Sequence, residues 1–158
     1  MLGFYGEWLH ALEHSGLGHI ARHSAWTFTV ANVLHVLGAA LVVGGIAVFD
    51  AALIGRRFED AGRIARLAIP IAAGGLALQV PTGLVLLAAE ATRLGVNPAF
   101  YAKLLFIAVG LLNVAIFHAR YGRKLREGMM HRGGRAAAVV SIAAWILTLG
   151  AGRMIAYL

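Results

Sequence analysis

Four stretches of the chain carry almost nothing but apolar and small residues, and the polar residues gather between them. The runs lie near 26–55, 64–89, 98–118 and 135–158. Each supplies the roughly 20 mostly apolar residues that a helix needs to cross a hydrocarbon core. The alternation expected of a membrane barrel is absent, so the runs are read as α-helices that satisfy their own backbone groups. Ahead of them, residues 3–15 follow a helical period. Phe4, Trp8, Leu9 and Leu12 fall on one side, and Glu7, His10 and His14 on the other. This predicts a short helix lying in the membrane interface with its apolar face down, ended by Gly16 and Gly18. The expected fold is an all-α integral membrane protein. It is a four-transmembrane-helix bundle with an N-terminal interfacial amphipathic helix, one domain over residues 1–158.

Proline and glycine refine this outline. Pro98 suits the first turn of the third spanning helix, with Asn97 as its N-cap. Pro70 and Pro81 both fall within the second span, where each removes a helix hydrogen bond and is expected to kink it. Gly38, Gly44, Gly45, Gly74, Gly75, Gly110, Gly150 and Gly152 give the spans small faces. Such faces let helices pack closely, or they leave room for a flat cofactor.

Composition agrees with a lipid solvent. Of the 158 residues 60% are hydrophobic, against about 45–50% in soluble domains, and the mean hydropathy is +0.78. The net charge of +7 would suggest nucleic acid in a soluble protein. Here the basic residues lie between the spans, where they set orientation, and no nucleic-acid partner is expected. Arg56, Arg57, Arg63 and Arg66 crowd the first loop. Arg120, Arg123, Lys124, Arg126, Arg132 and Arg135 crowd the third, whereas the middle loop has Arg93. By the positive-inside rule the first and third loops face the cytoplasm and both termini face outward. The chain has no cysteine. Disulfides, thiolate metal sites, iron–sulfur clusters and c-type haem attachment are thereby excluded. No cleavable signal pattern opens the sequence, so the first span is expected to act as its own insertion signal.

Ionisable groups inside a span are costly, and each is a functional candidate. At about 1.5 Å per residue, His35 lies roughly 31 Å before Arg56 and Asp50 roughly 9 Å before it. His35 and Asp50 share a helix face but belong to opposite leaflets. Placing the other groups by depth gives two layers. The outer layer contains His35, Gln79, Lys103 and Arg153. The inner layer contains Asp50, Asn113 and His118, near Arg56 and Arg120. Lys103 and Arg153 either snorkel to the outer interface or meet an anion such as a haem propionate, a quinone oxygen or a lipid phosphate. Asp50 either pairs with Arg56, Arg57 or Arg120, bonds Asn113, or joins His118 in a proton relay.

His10, His14, His19, His23 and His35 all fall on the outer side. Glu7, His10 and His14 make an E-x-x-H-x-x-x-H face, and histidines at i and i+4 can share a copper or zinc ion. The same face also reads as an ordinary solvated one. A haem b needs two axial ligands at one depth. That excludes His35 with His118 and permits His35 with one N-terminal histidine, Lys103 and Arg153 then standing near the propionates.

From "HVLGAALVVGGIAVFDAALIG" through "NPAFYAKLLFIAVGLLNVAIFH" to "AAWILTLGAGRMIAYL" the chain resembles a family of small four-helix bacterial inner-membrane proteins classed as a domain of unknown function. His35 with Asp50, Asn97 and Pro98 with Phe100 and Lys103, Asn113 with His118, and Trp145 with Gly152, Arg153 and Tyr157 carry the likeness. The resemblance implies the four-helix fold and a bacterial inner membrane, and brings no activity. A looser similarity is to cytochrome b561-like and CopD-like membrane proteins, the former binding b-type haem. The leading expectation is a membrane cytochrome that binds haem b in the outer half of the bundle, an oxidoreductase component passing electrons to quinone or a redox partner, with two alternatives. One is a transport or metal-handling protein with a path from the outer histidines to Asp50 and His118. The other is a cofactor-free subunit of a larger membrane complex. Neither a nucleophile–base constellation nor a phosphate loop suggests a hydrolase or transferase.

Overall fold

The computed structural model describes residues 3–55, 58–126 and 133–158. Among them every regular element is an α-helix. The order is α1 (Gly3–Glu13), α2 (Gly16–His23), α3 (Ala25–Ile54), α4 (Phe58–Ala89), α5 (Ala91–Leu94), α6 (Pro98–Arg126) and α7 (Gly133–Met154). Four of these, α3, α4, α6 and α7, are long and apolar enough to cross a membrane. Their flanks are inside-out in character. Val36, Leu67 and Leu112 are 63%, 72% and 61% exposed. In water such surfaces would be a liability, whereas against lipid tails they are at home.

Hydropathy located the spans, but it did not mark where the helices end. α4 begins at Phe58, before the expected 64, and α6 continues to Arg126, past the expected 118. Lysine, arginine and leucine are good helix formers, so the helix outlasts the apolar run that anchors it. α4 runs through both Pro70 and Pro81. The N-terminal segment is two helices rather than one. Gly16 opens α2 instead of closing the segment, because Ser15 caps it by accepting from the Gly18 amide at 3.2 Å. Gly18 is then needed for packing, since a Cβ there would lie 2.8 Å from the Ala88 carbonyl oxygen of α4.

α3 and α4 pack antiparallel along their length, and α6 packs along α7. Contact between α3 and α7 joins the two pairs, while α4 and α6 touch little. Small residues set the α3–α4 spacing. A Cβ on Gly38 would stand 2.9 Å from the Gly75 carbonyl oxygen, and one on Gly45 2.8 Å from that of Ala68. These glycines are therefore spent on helix contact, not on room for a flat cofactor. α1, α2 and α5 cap one end of the bundle. There Glu13 accepts from the Thr92 amide at 2.7 Å and from its hydroxyl at 2.6 Å, with Arg22 at 3.9 Å. These hydrogen bonds, led by that of the Thr92 hydroxyl, hold the Glu13 carboxyl below its ordinary range, Arg22 adding to the effect. Asn97 Oδ1 accepts from the Ala99 amide at 2.9 Å, and its amide donates to the Ile155 carbonyl at 3.2 Å. The cap of α6 thus also ties down the end of the chain. At the opposite end Phe49, Leu53, Ala65, Phe117, Leu125 and Ala138 form an apolar cluster.

Candidate functional site

Two polar groups stand inside the bundle, one near each end of α3. Near the capped end, His35 of α3, Gln79 and Thr82 of α4 and Lys103 of α6 meet. The Thr82 hydroxyl donates to the Leu78 carbonyl at 2.6 Å. Its single proton is thereby committed, and its oxygen is left to accept from His35 Nδ1 at 3.0 Å. His35 Nε2 is then the acceptor for the Lys103 ammonium, 3.4 Å away. Gln79 donates to the His35 carbonyl at 3.2 Å. The network assigns His35 the Nδ1–H tautomer and occupies both of its ring nitrogens. Gly152 of α7 borders the Lys103 stem, since a Cβ there would lie 3.6 Å from Lys103 Cδ.

Three of the four residues expected in the outer layer therefore meet, and Arg153 does not join them. It is exposed, donates to the Tyr157 hydroxyl at 2.8 Å and lies 5.0 Å from that ring's centre. In the last turn of α7 the long side chain folds back on its own i+4 neighbour. Thr82 went unnoticed in the sequence because a hydroxyl in an apolar run usually bonds back to its own helix. Its second role, as acceptor for His35, depends on which helix lies alongside.

The other N-terminal histidines lie apart from His35. His10 and His14 stack on α1 with ring centres 3.9 Å apart, and His19 and His23 stack on α2 at 4.1 Å. His14 and His23 each donate Nδ1–H to the carbonyl four residues back, at 2.9 Å. All four rings are exposed, as is Glu7. No three histidine, aspartate or glutamate side chains gather as a metal site among the described residues, so Glu7, His10 and His14 do not form one. A haem b does not fit the residues around His35. Thr82 and Lys103 stand at its two ring nitrogens, where an axial iron would have to bind. α4 also passes close, since a Cβ on Gly83 would lie 3.1 Å from His35 Cε1.

The second group surrounds Asp50. This is the one buried ionisable side chain among the described residues, 3% exposed. Ser141 of α7 lines one cavity with it, and the carboxyl Oδ2 has no hydrogen-bond partner. Arg56 and Arg57, expected beside it, lie outside the described residues. Asn113 does not reach Asp50, because its amide donates instead to the Ala137 carbonyl at 3.0 Å. His118 is exposed, with Nδ1 on the Val114 carbonyl at 2.9 Å. A cavity of about 180 Å³ lies between the four long helices here. Its walls include Asp50, Asn113, His118, Ser141, Phe49, Phe117 and Trp145. The indole N–H of Trp145 is also buried without an acceptor. It abuts Gly110, where a Cβ would lie 3.5 Å from Nε1.

Asp50 Oδ2 and Trp145 Nε1 are thus the two buried unpartnered side-chain atoms among the described residues, and both residues line the same cavity. Buried polar atoms are almost always satisfied, and leaving one unmet costs about 1–3 kcal/mol. Ser141 and Trp145 carried no functional weight in the sequence. They belong to a helix about ninety residues further along the chain than Asp50, and only packing brings them together. Between the two polar groups α3 and α4 meet through Gly38, Gly75 and Gly45. Comparison with protein-family models, with curated proteins and with solved structures finds no match to this chain.

Proposed function

We propose that this chain is a membrane-embedded binding or transport protein whose site is the cavity beside Asp50. The observation that carries this reading is the pairing of two orphaned polar atoms, a carboxylate oxygen and an indole N–H, on one cavity of about 180 Å³. A molecule that both donates and accepts a hydrogen bond, on a small apolar frame, answers both. The alternative of a cytochrome centred on His35 has less support, because that imidazole is already engaged on both sides. We further propose that the bundle sits in a bacterial inner membrane with the α1–α2 cap and both termini outside. The arginine-rich first and third loops at the uncapped end, against a single arginine, Arg93, in the loop between α4 and α6, support this orientation.

Trp145 is a built-in reporter. The other two tryptophans, Trp8 and Trp26, are exposed, so a Trp8→Phe/Trp26→Phe protein in lipid nanodiscs emits from Trp145 alone. Titration with 1-phenyl-1,2-ethanediol, a compact neutral molecule with two hydroxyls, is expected to shift that emission saturably. Ala73→Phe places a ring on an exposed position of the cavity wall and is expected to abolish the shift. A response that never saturates, or that survives Ala73→Phe unchanged, sinks the reading. A Soret band lost in His35→Ala would instead favour the cytochrome.

A further inference from the structure

The chemistry around Asp50 narrows the ligand further. On the reading that this cavity is the binding site, we infer that its ligand is a small lipophilic amine that enters sideways from the bilayer, between α4 and α6, and displaces a proton from Asp50.

An ionised carboxylate sealed among apolar side chains is very costly unless a cation or a proton joins it. The described side chains that line the cavity beside Asp50 include neither lysine nor arginine, and Arg63 and Arg66 of α4 and Arg135 of α7 are not on its wall. α4 presents Ala65, Ala68 and Ile69, and α7 presents Ser141 and Trp145. From α6 the one titratable side chain on the cavity wall is His118, whose Nδ1 is bonded to its own helix. Among the described residues the carboxylate has no cationic partner on the cavity wall, so a proton holds that place until a cation replaces it. A metal ion is a poor candidate, because hard cations require several oxygen or nitrogen ligands and no such cluster is present among the described residues. An organic ammonium needs only one carboxylate, since it brings its own apolar surface. Phe49 and Phe117 meet edge to face, with centroids 5.6 Å apart. With Trp145 they make an aromatic wall of the kind that also attracts cations through the ring quadrupole.

The route follows from the helix arrangement. The spanning windows of α3 and α7 are 39% and 33% buried, those of α4 and α6 only 17% and 11%. α3 and α7 therefore form the spine, and α4 and α6 flank a gap that opens toward lipid. A molecule already dissolved in the bilayer reaches Asp50 through this gap without crossing the capped end. Binding balances simply. The carboxyl group releases its proton, and an N–H of the ammonium donates to the oxygen that held it. The indole N–H of Trp145 finds its acceptor in an oxygen on the ligand.

The test uses the single-tryptophan protein in nanodiscs and two probes of nearly equal shape, 2-amino-1-phenylethanol and 1-phenyl-1,2-ethanediol, which differ in the ammonium. The amine is expected to bind at least tenfold more tightly. Asp50→Asn is expected to erase that preference, bringing the affinities of the two probes to within about threefold of each other. Calorimetry in buffers of different ionisation enthalpy is expected to show about one proton released per amine bound to the wild type and none with the diol. If both probes bind equally, or Asp50→Asn weakens both alike, the amine assignment falls and the cavity reading stands. If neither probe moves Trp145 emission, the cavity reading itself falls. Amine binding without proton release overturns the exchange. Asp50→Glu, which keeps the carboxyl group, guards against a folding defect in Asp50→Asn. It is expected to retain the amine preference.

Discussion

Gly75→Ala, one methyl group, tests the helix contact on which both polar groups depend. Gly75 faces α3 at its closest approach. A Cβ there would stand 2.7 Å from the Gly38 carbonyl oxygen and 2.8 Å from both Leu41 Cβ and the Val42 amide nitrogen. None of these is the flexible end of a side chain, so no rotamer change relieves the clash. Reaching the 3.4 Å of ordinary contact requires the helices to part by about 0.7 Å. A gap of about that size forfeits a quarter to a half of the dispersion attraction between facing atoms, and overpacking of this kind costs about 1–3 kcal/mol. Intrinsic helix propensity pushes the other way, favouring alanine over glycine by about 0.8–1 kcal/mol. The control is Gly44→Ala in the same bundle, where a Cβ meets nothing within 4 Å and propensity acts alone. Unfolding from mixed micelles by sodium dodecyl sulfate, followed by circular dichroism, should place Gly75→Ala about 1–3 kcal/mol below Gly44→Ala. Separation should also stretch the 3.0 Å bond between His35 and Thr82, visible as a shifted His35 nitrogen resonance. Equal stability of the two variants would refute the close packing and the geometry derived from it.

Further predictions concern the cap and the capped-end site. Glu13, held below the ordinary glutamate range by Thr92 and Arg22, should stabilise the docking of α1 fully above the unfolded glutamate pKa. That contribution should be lost as pH falls through the lower folded value. Hydrogen exchange over residues 3–13, referenced to α3, should show α1 loosening in acid in the wild type and already at neutral pH in Glu13→Gln; no difference at neutral pH would remove the contact. Thr82→Val takes the acceptor from His35 Nδ1, at a cost of about 1 kcal/mol. Nitrogen-15 spectra should show the Nδ1–H tautomer in the wild type and its loss in the variant. Asn97→Ala removes an N-cap worth about 0.5–2 kcal/mol, along with the bond to Ile155. Exchange at 154–158 should accelerate together with the first turn of α6, and acceleration of only one would separate the two roles.

How much of this was legible in the sequence follows from what each feature depends on. Membrane spans are a property of consecutive residues, so hydropathy located all four. The N-cap of α6 is equally local, since Asn97 acts on Ala99 two residues away. The capping serine at 15 is local too, yet the two following glycines masked it, because glycine marks a helix end and a close helix contact alike. Depth along a helix is also linear in residue number, which is why His35, Gln79 and Lys103 could be assigned to one layer before their distances were known.

Depth does not give azimuth. Arg153 lies at the right level and points away, closing on Tyr157. The histidines of α1 and α2 bond to their own helices, a choice that i, i+4 spacing permits as readily as a shared ligand. Sequence alone therefore determined that this chain crosses a membrane, where its helices lie, and that a histidine and an aspartate occupy opposite ends of one of them. Tertiary structure decided which neighbours those two residues have. It closed Thr82 and Lys103 over the nitrogens of His35, and it set Asp50 with Ser141 beside an empty volume walled by Trp145. The physical reason is that hydrophobic transfer acts on each segment independently. Close packing and hydrogen-bond satisfaction, by contrast, depend on how helices far apart in sequence are rotated against each other.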